Sequence, residues 1–473
     1  MATINIGWST KSITPQRLVS LAGQFHERIT DHVRDPLFAT AMALEGNGSQ
    51  GQGTVLVGCD LVAIDKHITD GVREKVKQNV PGLDPGHVIL NASHTHTGPL
   101  LTHETTRFPN LGYRTAHADI MTPEQYSEFA IEKIAEAVKE AWEGRAPGGI
   151  STAEGYAALG FNRRAIYDDG TGVMYGQVNS VHFRGLGGPE DPRVAMLFTW
   201  DAKHELTGIL FSAACTAQVV EGISSISADY FGELRILIAE RWDSSIPVLG
   251  MIGAAGDLAP LDSINKHHRK YDPDADLRQL ATRLLRVLED GLDMAKDNIQ
   301  TTPTFKHAVR QIDLPLRKVV KFEADLAKQE LSRFKEQIAK EPDAVAYFTS
   351  LGFKEQSDIF NYYAIVDRYE HLQVTSSYPI ELHVLRLGNA ALVTNPFELF
   401  TEYGLQIKAR SAAELTFIAQ LACGNSGYLP TADAIASGGY STQVFSGYVG
   451  AEGGEALVDY TVETVQSHWE EED

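Results

Sequence analysis

Val88-Ile89-Leu90-Asn91-Ala92-Ser93-His94-Thr95-His96-Thr97-Gly98-Pro99 is a short apolar run that stops at a pair of histidines and a Gly-Pro turn. The run is too short for a helix and reads as a strand over 87–91, apolar on both alternating faces and so covered on two sides. Along an extended chain, side chains two residues apart return to the same side, so the imidazoles of His94 and His96 can face one point. A strand end followed by a turn is where α/β proteins build their sites. The motif alone admits two readings: a metal-binding pair, or two partly exposed loop histidines with ordinary hydrogen bonds.

Similar runs recur along the chain. Leu37–Leu44, Thr54–Ile64, Val194–Trp200, Gly208–Ala214, Pro247–Ile252, Glu381–Leu387 and Thr416–Ala422 are rich in residues that favour strands. Helical patterns lie between them. Thr122 with Pro123 and Gln125 spells a cap, a proline at the first helical position and a capping-box partner. Tyr126, Ala130, Ile134, Val138 and Trp142 then form an i, i+4 stripe that Gly144 closes. Leu277–Ala295 reads as a second long helix. Lys321–Lys340 reads as a third, apolar only at Phe322, Leu326, Phe334 and Ile338, and so as a surface insertion. Strands alternating with helices predict an α/β protein with mixed β-sheets flanked by helices. No repeat of 20–50 residues is visible. Gly185–Pro192 and Glu341–Asp358 read as loops within one domain.

Composition narrows the function. Against 62 Asp and Glu stand 41 Lys and Arg, a formal charge of −21, which argues against nucleic acid or an anionic membrane as partner. Hydrophobic residues at 43% and charged residues at 22% are enough to bury a core and exclude a disordered chain. Cys59, Cys215 and Cys423 are too few for a disulfide framework and suit a reducing compartment. The N-terminus shows no secretory pattern and no run is long enough to span a membrane, so the expectation is a soluble, cytoplasmic protein of enzyme size.

Other residues could carry chemistry. Asp60 interrupts the apolar run 55–64, where a buried carboxylate persists only if paired, hydrogen-bonded or metal-bound. Glu398, three residues after Asn395, is either a capping-box glutamate or a metal ligand. Gly253-Ala254-Ala255-Gly256-Asp257 is a small-residue turn without nucleotide-binding spacing. There is no Gly-x-Ser-x-Gly, His-Glu-x-x-His or Cys-x-x-Cys motif. His267-His268-Arg269-Lys270 reads as a solvated basic cluster.

Taken in order, several segments resemble the neutral/alkaline (non-lysosomal) ceramidases, whose catalytic domain is a zinc-dependent amidase. They are Ile6-Gly7-Trp8-Ser9 with Ile13-Thr14-Pro15, Asp35–Ala39, Ser93–Pro99, Gly160-Phe161-Asn162-Arg163-Arg164, Ser227-Ala228-Asp229-Tyr230, Gly253–Asp257, Pro396–Gly404, and Gly427–Thr431 with Gly439-Tyr440. Each is short; the shared order is the specific part, and it spans almost the whole chain. The resemblance implies one ceramidase-like catalytic domain over 1–473, with a helical insertion near 315–360; the C-terminal immunoglobulin-like domain that those ceramidases carry is not expected here.

Position by position, the resemblance implies one zinc held by His94, Glu398 and Tyr428. It implies that Arg163 and Tyr440 hold the substrate carbonyl, and that His96 is a neighbouring proton-transfer residue, with Asp60 as the alternative. One departure stands out. The family's second zinc histidine falls on, or within one residue of, Cys215 in Phe211-Ser212-Ala213-Ala214-Cys215-Thr216-Ala217. A thiolate can ligate zinc, so Cys215 is the expected fourth ligand; the other reading is a small buried cysteine. The implied activity is hydrolysis of an amide or similar carbonyl bond in a small soluble substrate. The alternatives are a sugar- or polyol-acting lyase or isomerase, a true ceramidase, and a metal-free binding protein.

Overall fold

The computed structural model describes residues 3–46, 53–101, 119–242, 246–266 and 272–470. One pattern occurs three times: three antiparallel strands, a helix, a fourth strand parallel to the third, and a second helix. The first unit comprises strands Asn5–Ser12, Phe38–Glu45 and Gly53–Cys59, helix Lys66–Asn79, strand Val88–Ala92 and helix Pro123–Glu143. The second comprises Ala146–Tyr156, Arg193–Asp201 and Leu206–Ala213, helix Tyr230–Trp242, strand Val248–Ile252 and helix Pro273–Ala295. The third comprises Phe305–Pro315, Ser377–Leu387 and Ala390–Thr394, helix Thr401–Arg410, strand Leu415–Ala419 and helix Ala451–Ser467. Each unit is far longer than the 20–50-residue window in which repeats are usually sought.

The first two units join through Asn5–Ser12 and Ala146–Tyr156 into an eight-stranded mixed sheet, and the third unit forms a four-stranded one. The large sheet curls until its edge strands meet, the Asn91 amide donating to the Gly250 carbonyl at 3.4 Å. The four-stranded sheet covers the concave side. Leu56, Ile89, Leu210, Leu249, Met251, Leu392 and Phe417 fill the shared interior. The six helices lie outside, two per unit, over three further apolar clusters. This is the expected α/β architecture, covered on both faces.

Local signals act as the sequence spells them. Thr122 and Gln125 form the reciprocal cap of helix Pro123–Glu143. The run 54–64 ends as a strand at Cys59, so Asp60 begins the turn beyond it rather than interrupting a strand. The segment 341–358, read as loop, instead holds helix Ala344–Ser350 and the start of helix Phe353–His371. The Asp343 carboxylate caps the first of these helices by accepting from the Ala346 amide at 2.9 Å. Phe348, Ile359 and Phe360 pack with Phe334 of helix Lys321–Ile338 into a small aromatic core. His267–Lys270 and the last three residues lie outside the described residues. No helix among the described residues is long and apolar enough to cross a membrane.

Candidate functional site

The turns after the third and fourth strands of all three units open at one end of the fold, and the site lies there. His94 follows strand Val88–Ala92 with a left-handed backbone, φ 59°, a conformation a non-glycine residue adopts only when its surroundings enforce it. They do so here. The hydroxyls of Thr95 and Thr97 donate to the Ser227 carbonyl at 2.7 and 2.9 Å. The Arg28 guanidinium donates to the His96 carbonyl at 2.6 Å. His94 Nδ1 lies 2.6 Å from the Val62 carbonyl, which only accepts, so Nδ1 carries a proton and Nε2 is left to face the site.

The third unit supplies the groups that face that nitrogen. Glu398 is not a capping-box residue: it sits in the two-residue strand Glu398–Leu399, and the following helix starts at Thr401. That strand pairs in parallel with Tyr428–Leu429, Glu398 opposite Tyr428, which sets carboxylate and phenol side by side. The backbones approach so closely that a Cβ on Gly256 would stand 2.3 Å from the Glu398 carbonyl, so only glycine fits that turn. Glu398 Oε2 lies 3.3 Å from His94 Nε2. Burial pushes the Glu398 carboxyl up, but His94, Arg163 and the Tyr428 hydroxyl outweigh it and hold it below its usual range. Burial, reinforced by Glu398, pushes the Tyr428 phenol well up, so it is a protonated donor.

Arg163 and Tyr440 complete this side. Arg163 is buried, and one of its terminal nitrogens donates to the Tyr428 hydroxyl at 3.0 Å and to the Gly256 carbonyl at 2.9 Å. Its Nε is buried with no hydrogen-bond partner. Asp257 orders the loop that carries Arg163: its carbonyl accepts from the Arg163 amide at 3.0 Å, and its carboxylate accepts from Asn162 at 2.9 Å and from the Thr401 hydroxyl at 2.8 Å. Tyr440 packs edge-on to Tyr428 with centroids 5.8 Å apart. The other face of Tyr440 meets Phe25 and Phe445, which join the aromatic core of the helical insertion.

The opposite side is polar. His96 Nε2 lies 3.2 Å from His94 Nε2, and His96 Nδ1 faces the Gln218 amide at 3.5 Å and Glu221 at 3.4 Å. Gln218 is anchored by the Thr216 hydroxyl at 2.7 Å and itself donates to Glu221 at 2.8 Å. Tyr175, with φ 54°, lies over Arg163 from the mouth of the site. Gln218, Glu221 and Tyr175 were missed in the sequence; the one signal was a glutamine and a glutamate placed around Val219-Val220 just after Cys215.

The fold thus gathers His94, His96, Arg163, Glu398, Tyr428 and Tyr440. Two expected residues are absent from the group. Both carboxylate oxygens of Asp60 are taken by Arg235, at 2.7 and 2.9 Å, and one also accepts from the Phe38 amide at 2.7 Å. Asp60 is therefore an ion-pair partner, held away from the group. Cys215 follows strand Leu206–Ala213 in a reversal that turns its thiol into the second unit's core, 3.7 Å from the Thr216 carbonyl. Burial, with Asp229 nearby, pushes that thiol far up, so it stays protonated. Among the described residues Cys215 forms no compact donor group with His94 and Glu398; the compact His/Cys/carboxylate cluster is Glu381, His383 and Cys423, elsewhere in the fold.

The remaining donors fit a metal. Donor atoms on a tetrahedral zinc, at about 2.0–2.1 Å each, stand about 3.3 Å apart, and His94 Nε2 and Glu398 Oε2 are 3.3 Å apart. The Val62 carbonyl behind His94 is the kind of partner that orients metal-binding histidines. His94, Glu398 and Tyr428 would hold such an ion.

No family model matches the sequence, and no curated protein sequence matches it. Solved structures do. A structure described as ceramidase complexed with C2 superposes with a TM-score of 0.72 at 16% identity, covering 100% of this chain and 76% of the other. The neutral ceramidase from Pseudomonas aeruginosa superposes with a TM-score of 0.71 at 18% identity, covering 99% of this chain and 75% of that one. Over its whole length, then, this ceramidase-like chain has the fold of the neutral ceramidases.

Proposed function

We propose that the protein is a metal-dependent hydrolase that cleaves an amide or similar carbonyl bond in a small soluble substrate. The observation that carries this reading is the convergence of His94 Nε2, Glu398 Oε2 and the Tyr428 hydroxyl beside the buried Arg163, whose Nε has no partner. The ceramidase names of the two structural neighbours support an amide as the bond cleaved. The charge of −21 supports a soluble substrate over one drawn from an anionic membrane. Three free cysteines support a cytoplasmic setting.

A zinc ion held here would lower the pKa of a bound water and polarise the carbonyl. The chain's own residues do the rest. Val62 fixes the His94 tautomer. Arg163 and Tyr440, both donors, face the position where negative charge develops on the carbonyl oxygen. His96, steadied by Gln218 and Glu221, carries the proton to the leaving group. Asp60 has no part in this.

The test is metal content per chain together with product mass on a panel of N-acyl amines. The expected result is about one zinc per chain more in the wild type and in Cys215→Ala than in Glu398→Gln, and products whose summed mass exceeds the substrate by one water. A summed product mass equal to the substrate would replace hydrolysis with isomerisation if one product forms and with elimination if two form. Release of fatty acid from a short-chain N-acyl-sphingosine would make the protein a true ceramidase. Absence of metal from wild type purified under metal-replete conditions would overturn the mechanism in favour of a binding protein.

A further inference from the structure

At the far end of strand Val88–Ala92 from His94, roughly 20 Å away at about 3.3 Å per residue, lies a second cluster the proposed mechanism does not use. Glu381 and His383 project from strand Ser377–Leu387, and Cys423 follows strand Leu415–Ala419 with φ 55°. Into their midst reaches Arg73 of helix Lys66–Asn79. Arg73 Nη2 stands 2.7 Å from Glu381 Oε1, 2.9 Å from the Val88 carbonyl, 3.5 Å from His383 Nε2 and 3.6 Å from Cys423 Sγ. Two oxygens, a nitrogen and a sulfur thus surround one cationic nitrogen. The three side-chain donors also lie within 4.8 Å of one another, which is metal-site spacing.

We propose that this is a cation-exchange cage, in which a borderline-soft divalent metal such as zinc replaces the Arg73 guanidinium and is bound by Cys423, His383 and Glu381. Thiolate, imidazole and carboxylate are the donor set such a metal takes. The charges balance. At present Glu381 answers Arg73; with metal bound, Glu381 and the Cys423 thiolate answer two positive charges, and the thiol proton passes to solvent. Arg73 and Glu381 are 16% and 19% exposed, so the guanidinium has a way out and the ion a way in.

The hydrogen bonds behind the cage suit both states. His383 Nε2 lies 2.7 Å from Glu381 Oε1, His383 Nδ1 lies 3.0 Å from His307 Nε2, and His307 Nδ1 lies 2.8 Å from the Thr54 hydroxyl. With Arg73 in place, protons run from Thr54 through His307 and His383 to Glu381. With metal on His383 Nε2, both imidazoles switch tautomer, His383 donates to His307, and His307 donates to Thr54, whose hydroxyl accepts as readily as it donates. Both links behind His383 survive the exchange, and His383 gains the backing that metal-bound histidines have.

Cobalt(II) titration of the metal-free full-length protein tests this through the near-ultraviolet charge-transfer absorption of a thiolate–cobalt bond. The band is expected in the wild type, in Glu398→Gln and in Cys215→Ser, and lost in Cys423→Ser. Arg73→Met, which empties the cage of its internal cation, is expected to bind cobalt at least tenfold more tightly. No band in the wild type, a band that survives Cys423→Ser, or no tightening in Arg73→Met would each overturn the proposal. The Glu398→Gln arm separates this outcome from failure of the hydrolase reading, which rests on other residues.

Discussion

Asp60 and Arg163 are both charged, buried and placed near the opening where the strands end, yet their surroundings give them opposite roles. The partners of Asp60 are all accounted for within the fold, in a two-point ion pair with Arg235. Asp60→Asn is expected to cost about 3 kcal/mol in urea unfolding, because removing one partner strands the other charge, while metal content stays at the wild-type level. A loss of metal would return Asp60 to the site. Arg163 keeps a buried N–H without a partner. Arg163→Lys removes the planar fork, leaving Gly256 or Tyr428 unpaired. It should cost about 1–3 kcal/mol of stability and lower the proposed activity roughly 100-fold or more. Wild-type turnover by the lysine variant would remove Arg163 from the chemistry.

At the scale of elements, the helical insertion does more than decorate the surface. Helices Lys321–Ile338, Ala344–Ser350 and Phe353–His371 close an aromatic core that reaches Tyr440 through Phe25 and Phe445. Phe360 is central to it, in contact with Phe25, Phe348 and Phe445. Phe360→Ala is expected to destabilise by about 3 kcal/mol. It should also expose residues 321–371 to limited proteolysis before the rest of the chain. Cleavage that starts elsewhere would show that the insertion does not open as a unit. The elements legible in the sequence were those with strong local signals, such as the capped helix Pro123–Glu143 and the buried strands. Helix Ala344–Ser350 was illegible because its stability comes from Phe334 and Phe360, not from its own seven residues.

Across the whole molecule, buried titrating groups pull stability in opposite directions with pH. Asp229, at the start of helix Tyr230–Trp242, is pushed up to about 7, chiefly by burial. The folded state therefore holds its proton more tightly than the unfolded chain does. That contribution is complete below about pH 4, the ordinary aspartate range, and is lost as pH rises through about 7. His307 is depressed to about 2 by burial and by His383, so its contribution is complete above about pH 6.5 and is lost as pH falls toward 2. The unfolding free energy of the wild type should therefore fall relative to Asp229→Asn between pH 4 and 7. Relative to His307→Gln it should rise over the same interval. Parallel curves for wild type and either variant would exclude the corresponding group.

Apolar patterning along the chain established the α/β class and the buried strands, and the resemblance to the ceramidases named residues that the fold brings together. Alternating or continuous apolar runs dictate which segments must be covered, and the ordered series of short motifs pointed to His94, His96, Arg163, Glu398, Tyr428 and Tyr440. Only the tertiary structure decided direction and partnership. A thiol at the place of an imidazole looks interchangeable with it as a ligand, but the reversal after Ala213 points Cys215 into a core, while Gln218 from the same segment meets His96. The three related units were equally hidden, because a β-sheet fold constrains burial at each position and not the residue that provides it. Pairing, register and the curl of one sheet against another are non-local, and they alone bring His94 of the first unit to Glu398 of the third.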